Sequence, residues 1–520
     1  MPVTKVSVIF HHTKDNDANF VDTLRSIYNQ TCSDIEVFII SDPEIKSPEK
    51  QITDINKNHM PTRIIRESND TLGGYLNSVF YSINNNYILY IYNLDRTVLL
   101  KHSAVDLFLI ACQRNAGTAM VYADYELQEN DQIKEIHLLK HHVGRVRDNQ
   151  DYGRVFLFNR EALETSGWAD ETLQFKTLYD LRLKLSEKYK LTHVANRYAG
   201  SLYRVIAASQ AHNVFDYLLA GRESQIEAEN VLTEHLKRIN AYLKPGTYYH
   251  RRPEIDTENE LIASVIIPVN NRPEFIGAAI ESVQAQTIQQ IEVIVAVNGG
   301  EDDPTADEVR RYQSNGDKYD PNKPAVQLLI HDINNLGLCL NVGVKAARGK
   351  FYVQLDSDDR LKPEAVEKIL KVYESDPNTG MVIGSYEVWQ KDDAGNYSRM
   401  KELPVVTHDE WTEENGRNNI LRINGAGAPR SVPIALIKQI GFSVNDEPYA
   451  RNYGEDYNMV LEISERHRIG RVWDAIYEVV RHSGGTDHSI DQQTIDRNDE
   501  AKDYMRAQAI QRRIKLNKQT

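Results

Sequence analysis

A chain of 520 residues, 41% hydrophobic and 26% charged, is long enough for two cores and an addition, and its balance excludes collagenous, low-complexity and broadly disordered classes. The formal net charge of −14, from 61 Lys+Arg against 75 Asp+Glu, argues against a general nucleic-acid binder, whose affinity comes from neutralised phosphates. Cys32, Cys112 and Cys339 lie too far apart for a disulfide framework or a zinc site, and no apolar run approaches the ~18 residues of a membrane span. The start, MPVTKVSVIFHHTKDN, lacks the charged-then-apolar order of a secretory signal, so the expected place of action is the cytoplasm or the inner face of its membrane.

The first elements are an apolar strand, VSVIF at 6–10, a polar loop, the helical run LRSIYNQT and a second strand, EVFII. Short strands go on alternating with helical patterns, which predicts βαβ units, an α/β fold and a mainly parallel sheet. Apolar spacing at Ala228, Val231, Leu232, Leu236, Ile239 and Leu243 predicts a packed helix within 216–243, stopped by Pro245-Gly246. Strands are then predicted near 263–269, 291–298, 325–331, 351–356 and 381–389, and helices near 273–286, 303–314, 338–348 and 362–374. The tail carries Arg506, Arg512, Arg513, Lys515 and Lys518 on a predicted helix, read as a solvated basic face, with peripheral membrane contact as the alternative.

The chain contains itself twice. Ser26-x-x-x-Gln30-Thr31 between two strands is answered by Ser282-x-x-x-Gln286-Thr287 between two strands. Leu72-Gly73…Asn77 answers Leu336-Gly337…Asn341, and Met120…Glu126 answers Met381…Glu387. REALETSGW (160–168) resembles PIALIKQIGF (433–442), and YDLRLKLSE (179–187) resembles EDYNMVLEISE (455–465). Similarities that keep one order indicate two copies of one fold.

The most informative stretch is GKFYVQLDSDDRLKPEAVEKIL at 349–370. A buried strand ends in Asp356-Ser357-Asp358-Asp359 and a helix follows, with Pro363 near its start. Clustered carboxylates repel unless a cation sits among them, and hard divalent ions take such oxygen donors together with phosphates. A bare acidic turn capping the next helix is the plainer reading. Ligands of parallel sheets bind beyond the carboxyl ends of strands, where this cluster and the Asn270-Asn271 loop both fall.

With SVIIPVNNRPEF, the SVQAQT helix, EVIVAVNGGEDD, NNLGLCLNVGVKAARGKF, QLDSDD and GEDYNMVLEIS in order, the second half resembles the GT-A-fold, family 2 inverting glycosyltransferases, including chondroitin-type polymerases and O-antigen transferases. The resemblance implies two tandem GT-A domains joined by a helical linker: a degenerate copy at 1–205, the linker at 206–258, a catalytic copy at 259–495 and a basic helix at 496–520. It implies Mn²⁺ or Mg²⁺ held by Asp358, with Asp356 nearer the ribose and diphosphate, and His482 as a further ligand. Imidazole favours Mn²⁺. It implies Asp456 as the catalytic base, with Glu455 the alternative; an inverting transfer needs one such carboxylate. The donor, a nucleotide-sugar taken as UDP-linked, is expected at Pro268, Val269, Asn271, Asn298, Gly337, Asn341, Asp356, Ser357 and Asp358. Where the family usually has an Asp-Asp pair, this chain has Val297-Asn298. Trp411, Gly425 and Gly427 are expected at the acceptor, an oligosaccharide, polysaccharide or lipid-linked glycan.

In the first copy the equivalent of QLDSDD reads YNLDR, keeping only Asp95, and Glu455-Asp456 is aligned with Tyr179-Asp180. A degenerate first domain is therefore expected. The competing readings are a bifunctional polymerase with both copies active and a non-catalytic carbohydrate-binding scaffold.

Overall fold

Two runs of seven consecutive buried residues, β1 (Val6–His12) and β2 (Ile35–Ser41), pair in parallel, as unbroken apolar strands do when both sheet faces are covered. They belong to the first of two compact units, Met1–His235 and Leu236–Thr520; the boundary falls inside the helix Arg222–Arg238. The computed structural model describes the chain except residues 1–4, 47, 67–68, 197–199, 208–220, 255–260, 393, 408–414, 424, 426, 445, 447–453, 483–491 and 520.

The first unit adds β3 (Thr62–Ile65), β4 (Tyr87–Ile91), β5 (Thr97–Leu100), β6 (Thr118–Ala123), β7 (Tyr125–Glu129), β8 (Gln132–Ile136), β9 (Val155–Asn159), β10 (Lys190–Val194) and β11 (Tyr203–Ala207). They form one sheet in the order β10-β6-β9-β4-β1-β2-β3 and a second in the order β5-β11-β7-β8. The second unit contains β12 (Ala263–Val269), β13 (Ile291–Val297), β14 (Val326–Ile330), β15 (Phe351–Gln354), β16 (Arg360–Leu361), β17 (Thr379–Lys391), β18 (Tyr397–Arg399), β19 (Arg430–Pro433) and β20 (Arg468–Arg481). Its sheet runs β14-β13-β12-β15-β19-β17-β20-β16, with β18 on β17.

The two orders are one topology. β3-β2-β1-β4-β9-β6-β10 matches β14-β13-β12-β15-β19-β17-β20 strand for strand, with the same sense at every pairing. The difference is a break. β6/β7 and β10/β11 are separate strands split between two sheets, whereas β17 and β20 run through as strands of 13 and 14 residues with bulges. Parallel pairings make up most of the first sheet, as expected, but β9 and β19 run antiparallel to both neighbours, making each sheet mixed. Each enters after a long segment rather than a crossover helix, so the parallel βαβ rule does not constrain it.

The repeated motifs are latches. Gln30 Nε2 donates to the carbonyls of Ser26 and Lys101 while its Oε1 accepts from Val105 N; Gln286 makes the same set with Ser282, Lys362 and Val366. Asn77 exchanges two hydrogen bonds with the backbone of Ala169, and Asn341 does so with Phe442. A methyl group on Gly73 would lie 2.1 Å from the Asp170 carbonyl oxygen, and one on Gly337 1.9 Å from that of Ser443. Gly337→Ala is therefore expected to destabilise the second unit by about 1–3 kcal/mol through overpacking, read as a lower denaturant midpoint. An unchanged midpoint would show that the helix Leu336–Ala346 does not dock so closely.

The basic tail also differs from expectation. On the helix Gln492–Asn517, Arg506 and Arg513 are fully buried and Lys502 is buried; only Lys515 and Lys518 of the predicted face are exposed. Arg506 donates to the carbonyls of Leu421 and Ile423 and to Asp503, and Arg513 to Arg417 O and Ser464 Oγ. Arg506 is buried against carbonyls and a carboxylate, while Arg513 is held through Nη2 alone among the described residues, and burial of either is set by partners far away in the chain, so composition misleads here. Among the described residues no helix is long and apolar enough to cross a membrane.

Candidate active site

β15 delivers the chain to the turn Asp356–Asp359, and β20 closes over that turn. Asp356 N donates to the Tyr477 hydroxyl at 3.1 Å, and Asp359 Oδ1 accepts from Val480 N at 2.8 Å. Asp359 is buried; desolvation, then the charges of Asp356 and Asp358, push its carboxyl well above the ordinary range. Its partners are backbone and Tyr477, so it anchors the turn. Asp358 instead faces His482 at the end of β20, with Oδ2 3.1 Å from Nε2. The His482 ring packs on Phe275 at 4.3 Å between centroids, which fixes the imidazole.

These groups share a cavity of about 560 Å³. Of the residues expected from sequence, Pro268, Val269, Asn298, Asp356, Ser357, Asp358, Gly427 and His482 line it. Arg272, Asn334, Tyr386 and Arg481 line it too, and sequence reasoning missed them. Arg272 follows the Asn270-Asn271 loop directly, so its position was a readable signal; Arg481 comes into place only through the pairing of β20. Asn298 is 6% exposed, and its Oδ1 has no hydrogen-bond partner among the described residues.

Other expected residues stand elsewhere. Asn271 turns away at φ +50° and donates its N–H to Asp303 Oδ2 at 2.8 Å. Gly337 and Asn341 are occupied in the latch with Ser443 and Phe442 and do not line the cavity. Gly425 is absent from the lining, and Trp411 lies outside the described residues. Glu455 and Asp456 open the helix Glu455–Arg466 after Gly454, itself at φ +90°. Neither lines the cavity, yet a relay leads from it to Asp456. Gln354 Nε2 donates to Asp356 Oδ1 at 3.1 Å, Arg430 Nε donates to Gln354 Oε1 at 3.3 Å, and Arg430 Nη1 meets Asp456 Oδ2 at 2.8 Å. Arg430 also donates to the carbonyl of Gly427.

The two neighbouring carboxyls are driven apart. Burial pushes Asp456 up, but the Arg430 guanidinium and the Lys502 ammonium outweigh it and hold the carboxyl below its ordinary value. Burial and the Asp456 charge push Glu455 up to about 7. Because that exceeds the ordinary 4.5, the folded state holds a proton that the unfolded state has released, and stability falls as pH rises between those values. Glu455→Gln removes this cost, so it is expected to gain on the order of 1–3 kcal/mol near pH 8 and almost nothing near pH 4.5. Urea midpoints at the two pH values measure it; an equal shift at both would remove Glu455 as the source.

Residues 264–437 match the description "Glycosyl transferase family 2". The chain carries a family 2 glycosyltransferase domain. A chondroitin synthase of Pasteurella multocida (strain Pm70) is 26% identical over 234 residues, covering 43% of this chain and 21% of that protein. A putative glycosyltransferase, EpsH, of Bacillus subtilis (strain 168) is 32% identical over 124 residues, 24% of this chain and 33% of that one. The chain thus spans between a fifth and a third of the length of these relatives. Among solved structures, S. aureus TarS 1–349 in complex with UDP-GlcNAc aligns at 20% identity over 44% of this chain and 62% of that chain, with a TM-score of 0.34.

Strand register compares the family 2 domain with the first unit residue by residue. Tyr90 and Gln354 hold the same ladder position, as do Leu100 and Leu361. Tyr90 and Leu100 are ten positions apart in the first unit (100 − 90) and Gln354 and Leu361 seven apart in the second (361 − 354), so the first unit's turn is three residues longer. Counting inward, Tyr92 stands at the position of Asp356 and Val98 at that of Asp359. Asp95 lies in the enlarged turn, bridged to Arg154 at 2.7 and 3.2 Å. The alignment of Tyr179-Asp180 with Glu455-Asp456 is corrected. Lys190 pairs with Thr118 as Arg468 pairs with Thr379, and Tyr179 and Tyr457 each lie 11 residues earlier (190 − 179; 468 − 457). Both tyrosine hydroxyls donate to a backbone carbonyl, of Val146 and Ile420. Leu178 therefore occupies the place of Asp456.

Proposed function

We propose that the second unit transfers a sugar from a UDP-sugar to a hydroxyl of a glycan or lipid-linked acceptor, with inversion. The observation that carries this reading is the convergence of Asp356, Asp358, His482 and the buried acceptor Asn298 Oδ1 on one cavity, tied by Arg430 to Asp456. The donor set fits a divalent ion. Asp358 Oδ2 and His482 Nε2 are 3.1 Å apart, close to the ~3.0 Å between two adjacent donors of one octahedral ion. Asp358 and His482 would hold the ion, with the donor's diphosphate as the oxygen ligand such ions ordinarily take. Bound there, Mn²⁺ or Mg²⁺ would offset the charge on the departing diphosphate.

The protein's own residues supply the rest. Arg272 and Arg481 offer guanidiniums to phosphate oxygens. Asn298 Oδ1 is an acceptor for the imide N–H of uracil. Gly427, at φ +79°, lets a sugar approach backbone, with Gly425 and Trp411 nearby in the sequence as acceptor contacts. Asp456 receives the proton of the acceptor hydroxyl as the new bond forms. The first unit, with Tyr92, Val98 and Leu178 at the key positions, is idle as a transferase. A panel of nucleotide-sugars with and without Mn²⁺ tests the reading. Donor turnover that requires the ion supports it, and turnover unaffected by chelation, or confined to other nucleotides, overturns the metal or the uridine assignment.

A further inference from the structure

We propose that the first unit binds a neutral saccharide, in a cavity standing where its fold twin keeps the base. The cavity measures about 360 Å³, within the range of small-ligand sites and roomy enough for about one or two sugar rings. Tyr92, Phe156 and Leu178 line it, and by strand and helix register they replace Asp356, Arg430 and Asp456. The corner that carries charge in the second unit is apolar and aromatic here.

Its remaining charges already have partners. Asp95 is bridged to Arg154, and Asp148 to Lys176 at 2.8 Å. Asp151 accepts from the Tyr125 hydroxyl and from Gly153 N, at 2.8 and 2.7 Å. Arg182 donates to Gln150 and to the carbonyls of Arg145 and Arg147, with its guanidinium carbon 4.3 Å from the Tyr152 ring centroid. An anion would meet three carboxylates, Asp95, Asp148 and Asp151, and two guanidiniums, Arg154 and Arg182, whose donors are already engaged. A neutral polyol would be accepted, because an ionised carboxylate has about four acceptor positions and keeps some for hydroxyl donors. Aromatic side chains suit the C–H face of a pyranose, and the rings of Tyr92 and Tyr152, each stacked by an arginine, are held in place before the ligand arrives. The inference rests on this unit alone and holds whether or not the second unit is a transferase.

The test is saturation-transfer NMR and calorimetry on the full chain, without nucleotide and with chelator, using N-acetylglucosamine, galactose and maltose as neutral probes and glucuronate as the charged one. Binding of a neutral probe is expected to weaken by roughly tenfold or more in Tyr92→Ala and Asp95→Asn, and to persist in Asp358→Ala. Should Tyr92→Ala fail to fold, Leu178→Trp fills the cavity without removing a polar group and is expected to abolish binding. Preference for glucuronate, loss of binding in Asp358→Ala alone, or no binding by any neutral probe overturns the proposal.

Discussion

Asp456→Asn is expected to lower kcat by roughly 10³-fold with little change in the KM for donor, the middle of the range for loss of a general base. The amide keeps the shape of the side chain but has no lone pair basic enough to take the hydroxyl proton. Arg430, although it loses its ion pair, retains Gln354 and the Gly427 carbonyl, so the cavity wall should stand. Glu455→Gln is the comparison that gives the result meaning. Its neighbour is buried and uncharged below about 7, and replacing it should leave turnover within a few-fold. If the two variants exchange outcomes, Glu455 is the base. Full activity in both removes this helix N-terminus from the chemistry.

Asp358→Ala is the second large expected effect, a loss of about 10²–10³ in kcat at any Mn²⁺ concentration, the scale of removing one electrostatic stabiliser from a transition state. The structure separates it from Asp359, whose carboxylate is spent on Val480 N and the Tyr477 hydroxyl. Asp359→Ala should instead lower the melting temperature, because it leaves a buried backbone N–H without its acceptor. His482→Ala should raise the Mn²⁺ concentration needed for half activity, with most activity regained in excess ion. A metal titration with activity and thermal shift together distinguishes the three. Unaltered metal dependence in Asp358→Ala would remove the ion from this turn.

Much of this was legible in the sequence because the duplication is. Gln30 and Gln286, or Asn77 and Asn341, announce themselves as repeats, yet their purpose was not readable, since a latch is defined by carbonyls far away in the chain. The Asp356–Asp359 cluster and its strand were apparent, but not that Asp359 faces inward to β20 while Asp358 faces His482. Arg430 carries no local signal of its pairing with Asp456, 26 residues on (456 − 430). Tyr179-Asp180 misled because an acidic residue beside an aromatic one looks alike at a two-residue offset, and only strand pairing fixes the register. The buried Arg506 and Arg513 were misread for a related reason: charge by itself does not reveal the carbonyls that will solvate it.

The enlarged turn of the first unit has a consequence for redesign. Point substitutions that place carboxylates at Tyr92 and Leu94 would still leave three surplus residues before β5, with Arg154 drawing the acid toward itself. On the proposed reading, a metal turn like that of the second unit would take a deletion and several replacements made together, so single substitutions in the first unit are expected to leave it without transfer activity.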